Sequence, residues 1–194
     1  KPFKQFFDTR EDPWHVNNLA GHEGVQKKMD ELSGELDRWM VETRDVGLIP
    51  EAMFADLAGP GKKHTTIYEF AQSPDYPVEK ILEAATKAGR GEPGFLSEYL
   101  GFMIDPDPVV RYWGAYGLFL LENEDSGVRD ALRSMAGKDD FASNRLMAAQ
   151  ALGVCGDPDL AFSSIMKEVK TTGKGYVILQ GINAFQYSRT DDRL

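Results

Sequence analysis

The chain has 194 residues, 42% hydrophobic and 27% charged, enough apolar content for a sizeable core. Acidic residues outnumber basic ones by 31 to 22, a formal charge of −9, and such a surface argues against nucleic acid as a partner. A single cysteine, Cys155, excludes an internal disulfide; the longest apolar run, Tyr112 to Leu121, is about half of the roughly 20 residues a membrane helix needs, so no membrane partner is expected.

Residues 1–8, KPFKQFFD, read as one short strand, with Phe3, Phe6 and Phe7 as strand-prone aromatics and Pro2 limiting pairing at its start. No strong second strand follows. A lone strand cannot pair its backbone groups, so its partners are expected upstream of Lys1 or in a second copy of the chain. Residues 9–20 form a turn opened by Asp12-Pro13. From about His22 to Thr43 the pattern is helical, with Val25, Met29, Leu32, Leu36, Trp39 and Met40 on one apolar stripe and Gly47 and Pro50 as stops. Trp39 and Trp113, both on such stripes, are expected in the core.

Residues 52–75 read as a linker. Within it AGPGKKHTT is a loop rich in Gly, Pro and cations. It is no phosphate-binding P-loop: the earlier glycine is absent, and Lys63 stands where Ser or Thr should follow Gly-Lys. Lys62, Lys63 and His64 are nevertheless the local residues that could face an anionic substrate.

Residues 76–194 read as helical hairpins. Val109, Tyr112, Trp113, Tyr116, Leu120 and Leu121 fall on helical spacing, with Gly114, Ala115 and Gly117 between them to admit a close neighbour. Arg111, Ala115 and Leu118 recur as Arg145, Ala149 and Leu152 at a separation of 34, and Asn183-Ala184-Phe185 follows Gln150-Ala151-Leu152 at 33. That period belongs to stacked helical pairs. The pattern resembles HEAT repeats, and Asp107 and Asp140 are the expected carboxylate partners of the two arginines. The fold expected is therefore mainly all-α: a HEAT-like α-α superhelix of stacked helical hairpins, preceded by an N-terminal helix and a short isolated strand.

Phe6-Phe7-Asp8, Asp12-Pro13, Asn18-Leu19-Ala20, Trp39, Thr43, Asp45, Gly47 and Ile49-Pro50-Glu51 recur in one order. Together they resemble the C-terminal end of the arylsulfatase-type sulfatases of bacteria, where a strand of form E-L-Y-D-L leads to D-P-x-E-x-x-N-L-A, a helix ending D-x-W, and T-x-D-x-G-x-I-P-E. His15 replaces the usual acidic residue. The resemblance implies that residues 1–51 are the last strand and helix of a sulfatase catalytic unit, and that the missing N-terminal catalytic domain is a partner. It implies a parent hydrolysing sulfate esters or sulfamates on glycans, with calcium and a formylglycine, in the periplasm or outside the cell. It implies no chemistry for this piece, because Cys155 sits in Gly-Val-Cys-Gly-Asp and lacks the Cys/Ser-x-Pro-x-Arg setting of the formylglycine.

The remaining candidates are weak. His15 and His22 stand seven apart, not a favoured metal-ligand spacing, and His64 is the only other histidine. The doublets Asp105/Asp107, Asp139/Asp140 and Asp157/Asp159 open helices, where capping outweighs acid–base work. Trp14, in the turn, could stack on a sugar or anchor to a neighbouring domain. No Gly-x-Ser-x-Gly occurs. The expected function is a non-catalytic C-terminal piece of a sulfatase that holds no cofactor, packing on its catalytic domain, touching a sulfated glycan or mediating assembly into a homo-oligomer. The alternative is a free-standing HEAT-like interaction module.

Overall fold

The structure, a computed structural model, describes residues 4–188. Its contacts divide the chain after Asp45 into two units.

The first unit is one long helix and the loop before it. Helix α1 spans Glu23–Thr43 and stops where Arg44 turns left-handed and its N–H bonds to the Met40 and Val41 carbonyls. The expected strand does not form: residues 4–8 are irregular, and Phe3 lies outside the described residues. The reason is the missing ladder. The Phe6 N–H donates to Asn18 Oδ1 at 2.9 Å, and its carbonyl accepts from the Leu19 N–H at 2.8 Å, so the turn takes the place of a partner strand. Along the α1 stripe only Met29 is buried; Leu32, Leu36 and Trp39 are 48%, 54% and 55% exposed. Trp39 is therefore not a core residue here, because α1 has little within its own unit to pack against.

The second unit begins with 3-10 turns at Val46–Leu48 and Glu51–Met53, then α2 (Phe54–Leu57) and α3 (Ile67–Ala71). The stretch 52–75 buries Met53, Ala58, Phe70 and Ala71. Then come α4 (Val78–Arg90), α5 (Leu96–Phe102), α6 (Pro108–Leu121), α7 (Ser126–Lys138), α8 (Ala142–Val154), α9 (Pro158–Thr171) and α10 (Gly175–Tyr187). This is an all-α helical repeat. Helix α8 packs on α6, α7, α9 and α10, and α6 packs on α4, α5 and α8. Leu118, Leu132, Leu146, Met147, Leu152 and Ile165 are fully buried in the shared core.

Local chemistry sets these helices. Asp107 caps α6, accepting from the Val109 and Val110 N–H groups at 2.9 and 3.0 Å, and Pro108 pre-sets the first turn. Asp125 caps α7 and Asp157 caps α9, where Pro158 follows. The small residues of α6 admit α5: a Cβ on Gly114 would lie 2.8 Å from the Tyr99 carbonyl oxygen, and one on Gly117 2.7 Å from the Tyr99 ring. Tyr99 itself is fully buried, with its hydroxyl donating to the Lys87 carbonyl at 2.8 Å.

The recurrent arginines tie successive repeats together. Arg111 donates to the Asp139 carboxylate from Nε at 2.7 Å and Nη2 at 3.2 Å, and to the Asp105 and Pro106 carbonyls. Arg145 repeats the arrangement, reaching the Asp139 carbonyl at 2.6 Å and the Glu168 carboxylate at 2.7 and 2.8 Å. The carboxylates are thus Asp139 and Glu168, not Asp107 and Asp140. Asp107 is committed to its own helix N-terminus, and Asp140 is exposed.

Candidate functional site

The cation-rich loop is closed by its own hydrogen bonds. The Gly59 N–H donates to the His64 carbonyl at 2.9 Å, with Gly59 and Gly61 at φ 143° and 78°, values that favour glycine. The Thr66 hydroxyl then caps α3 by accepting from the Glu69 N–H at 3.1 Å, while Glu69 reaches back to the Thr65 N–H at 2.8 Å. Asp75 gathers two of the three candidate residues. Its Oδ2 lies 2.5 Å from Lys63 Nζ and 2.7 Å from His64 Nε2, and these partners, Lys63 first, hold its carboxyl below the usual carboxylate range. Lys62 is exposed; its N–H donates to the Gly59 carbonyl at 3.0 Å, and its side chain makes no hydrogen bond or ion pair among the described residues.

Ser73 completes a Ser–His–Asp grouping, with Oγ 3.5 Å from His64 Nε2. It is not a catalytic triad. A relay needs nucleophile and carboxylate on different ring nitrogens, whereas here both face Nε2. The Ser73 hydroxyl moreover donates to the Phe70 carbonyl at 2.7 Å.

Trp14 belongs to the first unit. Asp12 accepts from the Val16 and Asn17 N–H groups at 3.1 and 2.7 Å, which shapes the turn and leaves Trp14 86% exposed. Cys155 is fully buried, and burial pushes its thiol up to about 11, the opposite of an activated nucleophile. Among the described residues no group of three or more His, Cys, Asp or Glu side chains is placed to hold a metal ion.

One concavity is not announced by the sequence. A groove of about 450 Å³ lies in the second unit, lined by side chains of α6, α8 and α10 and by the turn at Pro50–Ala52. Tyr112 and Tyr116 are half-buried in its wall, and Tyr176 and Tyr187 are 59% and 55% exposed at α10. Burial pushes the Tyr112 hydroxyl up to about 12. The signal for the groove was in the repeat register: Tyr116, Gln150 and Asn183 occupy equivalent positions of three helices, and all three line it.

Comparison with known proteins adds one similarity. Over 52 residues the chain is 40% identical to an ulvan-active sulfatase of Formosa agariphila. The matched stretch is 27% of this chain and 9% of that protein, so the chain spans a small fraction of its relative. No family model matches the chain, and no solved structure matches it. No helix among the described residues is long and apolar enough to cross a membrane.

Proposed function

We propose that this chain is the non-catalytic C-terminal part of a sulfatase, and that its parent hydrolyses sulfate esters or sulfamates of a glycan such as ulvan. The 40% identity over 52 residues carries the reading. In it, residues 1–51 are the C-terminal end of the catalytic unit, closing on helix α1, 52–75 join them to the tail, and 76–194 form a HEAT-like tail. The exposed stripe of Leu32, Leu36 and Trp39 supports it, because an apolar helix face this open is what remains when its packing partner is another domain.

Calcium and formylglycine then belong to that preceding domain, and Lys62 and Trp14 are the residues of this chain that would reach sulfated substrate. Export to the periplasm or beyond the cell follows from the same reading. The test has two parts. The coding sequence ahead of Lys1 is expected to contain Cys/Ser-x-Pro-x-Arg, and the full-length parent, matured by a formylglycine-generating enzyme, to release sulfate from ulvan or a related glycan. Residues 1–194 alone are expected to release none. An initiating methionine immediately before Lys1 would overturn the reading in favour of a free-standing HEAT-like interaction module.

A further inference from the structure

The groove of the second unit has polar groups with nothing to bond. Gln180 is already committed, its Oε1 accepting from Ser143 Oγ at 2.7 Å and its Nε2 donating to the Ser143 carbonyl at 2.9 Å. The amides of Gln150 and Asn183 and the hydroxyls of Tyr112, Tyr116, Tyr176 and Tyr187 make no hydrogen bond among the described residues. Each of these groups is neutral, and each both donates and accepts. The natural complement is a ligand of hydroxyls, which do the same.

Charge narrows the class. Among the described residues that line the groove there is no cation, and Glu51 is the one charged side chain. A sulfate or carboxylate placed there would meet no counter-charge and one like charge. Its aromatic wall supplies the apolar half of the recognition. Tyr112 and Tyr116, one helical turn apart on α6, have rings inclined by only 15° with centroids 6.5 Å apart, and Phe119 continues the row 6.0 Å from Tyr116. A row of ring surfaces beside neutral amides suits sugar rings, whose C–H faces are apolar and whose edges carry hydroxyls. An amphipathic helix would want an unbroken apolar floor, and Gln150, Gln180 and Asn183 interrupt this one.

We propose that this groove binds an uncharged stretch of oligosaccharide, with sugar rings packed on Tyr112, Tyr116 and Phe119 and hydroxyls bonded by Gln150 and Asn183. The site rests on the groove alone and not on the sulfatase reading. Absence of saccharide binding would leave the parent's sulfate release intact, and absence of sulfate release would leave the groove. The 194-residue chain is titrated, by calorimetry and by tyrosine ring NMR signals, with neutral oligosaccharides of glucose, xylose, mannose and galactose. A sulfated galactose oligosaccharide and a helical amphipathic peptide serve as the other arms. At least one neutral saccharide is expected to bind with a Kd of about 1 mM or tighter, and the sulfated one about tenfold more weakly or worse. Asn183→Ala and Tyr116→Ala should each weaken binding about tenfold. Asn183 is exposed, so its variant should keep the parent unfolding midpoint. No binding of any neutral saccharide at about 10 mM overturns the proposal. So does tighter binding of the sulfated saccharide or the peptide, or an unchanged affinity in the folded Asn183→Ala variant.

Discussion

The two units of this chain carry different kinds of information. In the first, a recognisable run of residues coincides with sparse packing: α1 buries Met29 alone and leaves Leu32, Leu36 and Trp39 open. In the second, dense packing coincides with a degenerate sequence. Helix α8 buries ten of its residues, yet the repeat is held by two arginines, a few small residues and aspartate caps. A surface that must fit a particular neighbour constrains residue identity, whereas a core constrains mainly size and apolarity. The motifs that resemble sulfatases fall in residues 6–51, whereas the rest of the second unit is legible as an all-α helical repeat.

The largest way to sharpen that contrast is to remove a tie between repeats. Arg145→Met leaves Glu168, 8% exposed, without its guanidinium, and should cost about 4 kcal/mol in urea unfolding of the second unit. A loss below about 1 kcal/mol would mean that the arginines decorate the stack rather than hold it.

Next comes the same substitution in each unit. Leu152→Ala empties a fully buried position and should cost about 3 kcal/mol. Leu36→Ala, at a position 54% exposed, should cost less than about 0.5 kcal/mol in this chain. Within the full-length parent its cost should rise to about 2 kcal/mol, because the proposed neighbouring domain would bury that face. An unchanged cost there would count against α1 as a docking helix.

Gly117→Ala probes close approach. Its Cβ would press on the Tyr99 ring, which is fully buried and fixed through its hydroxyl to the Lys87 carbonyl, so a loss of about 2–3 kcal/mol is expected. The same change at Gly34 in α1 meets nothing within 4 Å and should be neutral or slightly stabilising.

How much of this was legible in the sequence follows the same division. Helix α1, the Asp107 and Asp157 caps and the stacked repeat could be read because their determinants are local or strictly periodic. The arginine partners could not. Asp139 lies 28 residues beyond Arg111, and Glu168 lies 23 beyond Arg145, and several acidic residues in between satisfy the same spacing argument. His64 was visible as a candidate, but its pairing with Asp75, 11 residues on, depends on how α3 turns the chain. The strand was misread because Phe6 and Phe7 carry strand propensity, while a strand exists only if something pairs with it. The groove was hidden for a related reason. Tyr112 and Tyr116 sit on a stripe that looks like core, and only the stacking of α6, α8 and α10 leaves them facing a cavity.

Alkaline titration separates the two units without mutation, because all seven tyrosines lie after Asp45. Burial raises Tyr112 from 10.0 to about 12 and raises Tyr99 as well. The fold therefore favours their neutral phenols. That contribution is complete below about pH 10 and is lost as the pH climbs through the raised values, on the order of 2 kcal/mol for Tyr112. The second unit should lose stability across this window, while α1, whose unit has no tyrosine, gains no such dependence. Tyr112→Phe removes the titrating hydroxyl but keeps the ring, so its urea midpoint should fall less between pH 10 and 12 than that of the parent chain. Equal slopes for the two proteins would show that the Tyr112 hydroxyl is well solvated, and that the wall of the groove is wetter than its packing implies.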